Sequence, residues 1–470
     1  MTFIGVDPHP VTKRERVNKA MNVFDMPNSN LYAQMMKNSL NHIILMTSIV
    51  LGQLCIATHA NASAIDQKLQ KYIKSFVISS PKTVVGKGSD KYEFGKMLFA
   101  DKDLSISKNI SCLSCHNPSL GSSDGLPFSI GSGGVHNGLK SKQLSAKLTS
   151  RSSPHLYNKG HNSFRTMFWD GRLFYDEFED SYQTPEPGLN GKSPLFKDIV
   201  EKIENVMSMQ AIFPIASTVE MRGEDYKSLS NREVWRKISN RIANKSVYKK
   251  FITHDFNIAD IANALAFFQK VEFQVNDTPF DEYIAGNLDS LSSKEKDGAV
   301  VFFEKGRCSR CHHGVLLSNQ AFQGAGVPQI GPGHTKDKND EGRYLITGRE
   351  FHKYGFLTQP LRNIALTAPF MHDGALEDLK TVVVHYNNPS RSIDDYSVLD
   401  LQKLYGSIFN DFIYVDKNPY RNIYRKQAIA PQIRTPLGLN NIEVNSLVCF
   451  LKKSLTQEKF HFQLKFDECN

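Results

Sequence analysis

Two five-residue motifs in this sequence have the residue types of a covalent cofactor site. They are Cys-Leu-Ser-Cys-His at 112–116 and Cys-Ser-Arg-Cys-His at 308–312. Both match Cys-x-x-Cys-His, the attachment pattern of c-type haem. On one helical turn, each thiol can form a thioether to a vinyl-derived carbon, while the following imidazole reaches the iron from the same side. The sequence therefore predicts two covalently bound haems c.

The same cysteine pairs have two competing interpretations. A thioredoxin-like redox pair and half of a zinc site both use Cys-x-x-Cys, but neither explains a histidine in the fifth position twice. Cys449 lies on an apolar helical stretch, which favours a buried inert thiol. Cys469 lies next to the C-terminal residue, and the sequence leaves a disulfide between these two cysteines open.

Residues 1–64 are predicted to form a leader. A basic start at Met36-Lys37, an apolar run over 43–58 and Ala60-Asn61-Ala62 have the order of a secretory signal peptide. This predicts export to the periplasm, cleavage near Ala62 and a translation start at Met35 or Met36. A membrane anchor is the alternative, but the apolar run is shorter than the roughly 20 residues that span a bilayer, and it contains Gln53.

The composition is that of an ordinary globular protein, and 470 residues exceed what one core usually organises. The formal charge of +9 comes without a Lys/Arg run interleaved with aromatics, so nucleic-acid binding is not indicated. A helical apolar pattern over 258–273 ends at Asn276–Pro279, and capping-box patterns at 292–295 and 440–443 predict two more helices. We expect a mainly α fold of two cytochrome-c-like haem domains with long loops, over 65–275 and 276–470.

Longer motifs surround the cysteine pairs, in the order CLSCHNPSLGSSDG (112–125), FWDGR (168–172), PIASTVEM (214–221) and PLRNIALTAPFMHDG (360–374). This series resembles the bacterial dihaem cytochrome c peroxidase/MauG family. The resemblance implies a haem peroxidase in which the first haem reacts with hydrogen peroxide. The second haem would then accept electrons or stabilise an oxidised state.

The resemblance assigns roles to individual residues. The haems would be attached through four cysteines, with one proximal histidine each and a tryptophan between them: Cys112, Cys115, Cys308, Cys311, His116, His312 and Trp169. Gln210 and Glu220 match the distal-pocket glutamine and glutamate. Splitting a peroxide bond requires a group that takes a proton from one oxygen and returns it to the other, and a carboxylate can do both.

Two positions depart from many dihaem peroxidases. Those enzymes carry Ile-Gly-His after the first motif, and the histidine blocks the resting iron, whereas this chain has Ser132 there. We therefore expect an open first haem, with nearby His136 as a substitute ligand. Tyr386 stands where electron-transfer haems carry methionine and MauG-like members carry tyrosine, and Met371 and His385 are rival ligands. A phenolate ligand would favour the ferric state.

Several expectations about ligands and partners follow from the resemblance. Thr367 and Pro369 match backbone contributors to a calcium site between the domains, although Ser152 replaces the asparagine of the family. The electron donor would be a small periplasmic c-type cytochrome or cupredoxin, and the sequence leaves a homodimer open. The alternatives to peroxide reduction are MauG-like oxidation of a protein side chain and a non-catalytic dihaem electron carrier. The long stretches 173–206 and 388–437 either form a partner-binding surface or are surface insertions without a function.

Overall fold

The structure, a computed structural model, describes residues 62–191, 193–409 and 413–469. These residues are mainly α-helical with little strand, which confirms the expected fold class. The helices are α1 Ala64–Ser75, α2 Asp90–Ala100, α3 Cys112–Cys115, α4 Lys197–Val200, α5 Val206–Ala216, α6 Asn231–Ala243, α7 Ile258–Glu272, α8 Pro279–Ile284, α9 Ser293–Phe303, α10 Tyr344–Thr347, α11 Leu379–Asn387, α12 Pro389–Asp395, α13 Leu399–Phe409, α14 Pro419–Gln427, α15 Pro431–Arg434 and α16 Asn441–Cys449.

Short antiparallel strands form two small sheets. The strands are β1 Thr166–Met167, β2 Leu173–Asp176, β3 Ser181–Gln183, β4 Phe322–Gly324 and β5 Gly355–Leu357. The first sheet has the order β1-β2-β3, and the second pairs β4 with β5. Trp169 lies in the connection between β1 and β2, and its carbonyl accepts a hydrogen bond from the N–H of Leu357 in β5 (2.8 Å). The first sheet is therefore tied to the second beside this tryptophan.

The three helices predicted from the sequence are confirmed. α7 covers the apolar pattern and ends before Phe273, while α9 and α16 begin with the predicted capping boxes. In each box the N-cap side chain accepts from the backbone N–H three residues later, and that residue's side chain accepts in return. α16 continues into one π-helical turn, Phe450–Ser454. The apolar and basic parts of the predicted leader lie outside the described residues.

Two large apolar cores organise the chain. The first is built mainly on α2, α5, α6 and α7, and the second on α1, α8, α9, α11 and α16. The change from one core to the other falls between Val275 and Phe280, near the predicted domain boundary. The boundary itself stays a prediction, because α1 packs on the second core and Ser63–Asn470 forms one unit of contacts. No helix among the described residues is long and apolar enough to cross a membrane.

A third, smaller core joins α13 to the loop after the first cysteine motif. Leu401 and Phe409 of α13 pack with Phe128 and Ile130 of that loop, and the rings of Phe128 and Phe409 meet edge to face at 6.0 Å. Gly331 (φ +71°) lies under Phe128, and a Cβ there would be 1.8 Å from the ring. The stretch 388–437 is therefore packed against the first half of the chain.

The free-thiol interpretation of Cys449 is wrong. Cys449 is buried at the end of α16 and forms a disulfide with Cys469, with the two Cα atoms 5.0 Å apart. Lys452 and Glu468 form an ion pair (2.8 Å) beside it. The helical pattern around Cys449 shows burial, but it carries no information about a tail that folds back onto the helix.

Candidate functional site

The first cysteine motif forms one wall of a large cavity. Cys112 and Cys115 occupy the single helical turn α3, and together with His116 they line a cavity of about 1390 Å³ of atom-free space, its mouth included. The Nδ1 of His116 lies 3.1 Å from the carbonyl of Ser122, to which it donates, leaving Nε2 as the ring's lone-pair atom. Burial lowers the pKa of His116 to about 4, so the imidazole is neutral, the form that binds iron.

The second motif repeats this arrangement on a different local structure. Cys308 begins a 3₁₀ turn rather than an α turn, and Cys308, Cys311 and His312 line a second cavity of about 1560 Å³. The Nδ1 of His312 lies 3.0 Å from the carbonyl of Leu317, and burial lowers the pKa of His312 to about 4. Each motif therefore presents two thiols and a neutral, oriented imidazole to a cavity, which is the donor set of c-type haem.

The remaining lining fits a haem in each cavity. Apolar side chains dominate both, as a porphyrin face requires. In the second cavity His372 is 4% exposed, and its ring nitrogens make no hydrogen bond within the described residues. Its ring stacks on Phe356 at 3.6 Å. Such a buried polar group normally has a partner, which indicates that a polar edge of the bound group meets it.

Trp169 lies in the wall between the cavities and lines both. Its indole N–H donates to the carbonyl of Ser152 (3.0 Å), another residue of the shared wall. Gly171 (φ +64°) turns the chain after it, and a Cβ there would lie 2.2 Å from the ring of Phe322. Trp169 therefore lines the cavity of each cysteine motif, and its position between two bound haems stays a prediction.

A buried network of ion pairs holds Asp170, the residue that follows Trp169, in place. Asp170 accepts from Arg151 (2.5 Å) and Arg172 (3.1 Å), while Arg151 also binds both carboxylate oxygens of Asp340 (2.6 and 2.8 Å). Arg151, Asp170 and Asp340 are each at most 7% exposed. Because Arg343 donates to the carbonyl of Asp170 (2.9 Å), residues from both halves of the chain hold this segment. Sequence reasoning missed the network, although Asp170 and Arg172 lie in a motif that it used.

Gln210 and Glu220 both line the cavity of His116. Gln210 lies in α5, whose N-cap Asn205 accepts from the N–H of Ser208. Glu220 follows the end of α5, and its carbonyl accepts from the N–H of Ser132 (2.8 Å). The two predicted distal residues therefore share one cavity with the first motif, and the loop after that motif anchors the backbone of Glu220.

The environment of Glu220 favours its protonated form. Burial raises the pKa of its carboxyl, while the nearby Arg172 guanidinium and a hydrogen bond with Ser217 lower it in part. A carboxyl with a raised pKa holds its proton to a higher pH than an exposed glutamate does. The arrangement can therefore both accept and return a proton inside the cavity.

The loop that carries Ser132 turns its hydroxyl away from this cavity. The Oγ of Ser132 hydrogen-bonds to Ser107 (2.5 Å) and to Asn109 (3.0 Å). A Cβ on Gly131 would lie 1.8 Å from the carbonyl of Val219, so the loop packs closely on the segment that leads to Glu220. The residues that line the first cavity include neither Ser132 nor His136. In this structure His136 does not take the place of the family's blocking histidine.

The ligand candidates of the second cavity separate into two groups. Tyr386 of α11 and Met371 both line the cavity of His312, whereas His385 does not. Both ring nitrogens of His385 are engaged, one with Ser392 Oγ (2.8 Å) and the other with the carbonyl of Ala325 (2.9 Å). Burial raises the pKa of the Tyr386 phenol well above its usual value. The choice between tyrosine and methionine as ligand stays a prediction.

Two residues of the predicted calcium site make hydrogen bonds to backbone carbonyls of the protein. Ser152 donates its N–H to the carbonyl of His372 (2.8 Å), and the hydroxyl of Thr367 donates to the carbonyl of Ile364 (2.9 Å). Within the described residues, no group of three or more His, Cys, Asp or Glu side chains is placed to hold a metal ion. Calcium binding by backbone carbonyls stays a prediction.

Comparisons with known proteins agree with the site. A family model described as di-haem cytochrome c peroxidase matches residues 89–289. Cytochrome c551 peroxidase of Nitrosomonas europaea is 30% identical over 307 residues, which are 64% of this chain and 74% of that protein. The methylamine utilization protein MauG of Methylophilus methylotrophus is 26% identical over 333 residues, 69% of this chain and 79% of that one.

A solved structure supports the fold. The crystal structure of a MauG-like protein associated with microbial copper homeostasis superposes with a TM-score of 0.56 at 23% identity, covering 83% of this chain and 96% of that one. At this identity the likeness concerns the architecture alone. The 30% identity to cytochrome c551 peroxidase over 74% of that protein, together with the family model, shows that the chain belongs to the di-haem cytochrome c peroxidase family and is an oxidoreductase that acts on peroxide with haem cofactors.

Proposed function

We propose that this chain reduces hydrogen peroxide in the first cavity, with electrons that arrive through the second cavity from a small periplasmic redox protein. The observation that supports the proposal is that Gln210 and Glu220 line the cavity of His116, while Trp169 lines that cavity and the cavity of His312. The reaction consumes one peroxide, two protons and two electrons and releases two waters. The chain must therefore supply a proton path and an electron path.

Glu220 provides the proton path. When attached, the haems supply a site for peroxide and the change of oxidation state, and the side chains supply the rest. Glu220 takes a proton from one peroxide oxygen and returns it to the other, so that water leaves rather than hydroxide. The amide of Gln210 orients the peroxide by hydrogen bonding. The raised pKa of Glu220 suits both halves of this transfer.

Trp169 provides the electron path. Its indole ring fills the wall between the cavities, and its N–H is held by the carbonyl of Ser152. The buried contacts of Arg151 with Asp170 and Asp340 restrain the neighbouring backbone. A fixed aromatic side chain between two redox centres shortens the gap that an electron crosses.

Tyr386 favours a second candidate function, the peroxide-dependent oxidation of a protein side chain as in MauG. This tyrosine lines the second cavity with His312, and a phenolate ligand would stabilise oxidised iron. A non-catalytic dihaem electron carrier is less well supported, because it would have no use for a cavity-lining carboxyl such as that of Glu220. The proposal also includes export to the periplasm, two haem domains over 65–275 and 276–470, and a calcium ion near Ser152 and Thr367.

Steady-state turnover of purified holoprotein tests the proposal. A reduced small c-type cytochrome is mixed with hydrogen peroxide, and oxidation of the cytochrome is followed with and without the protein. We expect two cytochromes oxidised per peroxide consumed. If peroxide is consumed without oxidation of the donor and leaves a long-lived oxidised form of the protein, the MauG-like function is supported instead. If the protein neither consumes peroxide nor changes spectrum on its addition, both enzymatic functions are wrong.

A further inference from the structure

Lys159 is a buried cation in the wall of the first cavity. Its side chain is 7% exposed and lines the same cavity as His116. Within the described residues, the ammonium has neither an ion pair nor a hydrogen bond, and it lies 5.9 Å from the centroid of the Phe164 ring. Lysines are rarely buried this deeply without a counter-ion.

The two other cationic side chains of this lining already have acidic partners. Arg151 uses three of its nitrogens on Asp170 and Asp340, and Arg172 pairs with Asp170. Lys159 therefore differs from both arginines. Burial lowers the pKa of Lys159 to about 7, because the charged ammonium loses contact with water.

Among the described residues that line the cavity, no carboxylate pairs with Lys159. Glu220 is the one carboxylate among the lining residues, and it interacts with Arg172 rather than with Lys159. Lys159 lines the same cavity as the proximal His116 of the first cysteine motif.

We propose that Lys159 is the counter-ion of a carboxylate of the haem held in the first cavity. A haem carries two propionate groups, and a buried propionate requires a cation or several hydrogen-bond donors. The proposal rests on haem attachment at Cys112 and Cys115, not on peroxide turnover. In this role Lys159 is a binding and positioning residue that also contributes positive charge close to the iron.

The test compares three variants of the holoprotein. Lys159→Met removes the charge and keeps the length, while Lys159→Arg keeps the charge. Lys270→Met is the matched control, because this lysine packs beside Gly160 but its ammonium is bound to Asn162 at the exposed surface. Each protein is examined by spectroelectrochemical titration of the first haem, by chemical denaturation and by redox-difference infrared spectroscopy.

If Lys159 forms an ion pair with a haem carboxylate, the Lys159→Met variant should differ from the parent protein in all three measurements. The midpoint potential of the first haem falls, because loss of a nearby positive charge favours ferric iron. The denaturation midpoint also falls, because a buried propionate is left without its partner. The haem-carboxylate bands of the infrared difference spectrum shift, because the buried carboxylate has lost the cation with which it was paired. Lys159→Arg and Lys270→Met stay close to the parent protein.

Other outcomes overturn the proposal. An unchanged potential together with unchanged or higher stability of Lys159→Met means that the lysine has no anionic partner. A lower potential with higher stability means that a bare cation acts on the iron without an ion pair. If the methionine variant yields no holoprotein, Lys159→Gln is interpreted in the same way. Because none of these measurements uses peroxide, they can fail independently of the proposed peroxidase function.

Discussion

Replacing Glu220 by glutamine should abolish most peroxide turnover while leaving the cavity intact. The amide keeps the shape of the carboxyl but cannot accept a proton. Positioned acid–base groups contribute factors of roughly 10²–10⁴, so peroxide consumption should fall by that amount. This corresponds to about 3–5 kcal/mol of activation free energy. His334 also lines the cavity and can take up a proton, so a loss near the lower limit is expected if it substitutes.

The pH dependence of activity and of stability is the most specific test of this prediction. Because burial raises the pKa of Glu220, the activity of the parent protein should decline on acidification at a higher pH than an exposed glutamate would give. Between the ordinary and the raised pKa, the folded state holds a proton that the unfolded state has lost, so stability decreases as pH rises through this window. Glu220→Gln removes that penalty and should be no less stable than the parent at neutral pH.

The control for this experiment is Glu224→Gln. Glu224 is an exposed carboxylate four residues further along, paired with Lys147 and Lys227, so its loss changes the charge equally but leaves the cavity unchanged. Peroxide consumption is measured at several pH values, with haem content and denaturation midpoint determined for each variant. A loss of less than about tenfold in Glu220→Gln, with His334 also replaced, would refute the proton-transfer role.

Four further predictions concern the cofactors and the ends of the chain. Denatured protein should retain two haems per chain in a pyridine haemochrome assay, and extraction of haem into acid-acetone would contradict this. Tyr386→Met should raise the potential of the second haem and Met371→Leu should not; the reverse result would assign the methionine as ligand. Cys469→Ser opens a covalent loop of about 20 residues and should lower the free energy of unfolding by about 3 kcal/mol without changing turnover. N-terminal sequencing of the mature protein should begin within a few residues of Ser63.

The sequence predicted the parts of this molecule that depend on local chemistry. Spacing alone identifies the cysteine motifs, because thioether formation and iron ligation require those residues within one turn. An apolar repeat predicted α7, and capping boxes predicted α9 and α16. Both patterns reflect contacts between residues three or four positions apart, so they can be read from the local sequence. The family resemblance supplied Gln210 and Glu220, which no local pattern identifies as functional.

Sequence patterns could not predict contacts between segments that are far apart along the chain. The disulfide of Cys449 depends on where the last 20 residues return, and the pairing of Arg151 with Asp340 joins positions 189 residues apart. Lys159 appears in the sequence as an ordinary charged residue of a loop. Its importance arises from burial in a cavity whose walls come from several separate segments, which periodicity cannot reveal.

The open state expected for the first cavity depends on more than the serine at position 132. The loop that carries Ser132 is held on one side by α13, through Phe128, and on the other by the close approach of Gly131 to Val219. The hydroxyl of Ser132 is fixed outside the cavity by Ser107 and Asn109. A ligand at this position would have to reach the iron from a backbone that packing restrains on both sides. The long stretch 388–437 therefore does more than extend the surface, because α13 helps to fix the loop that borders the proposed peroxide site.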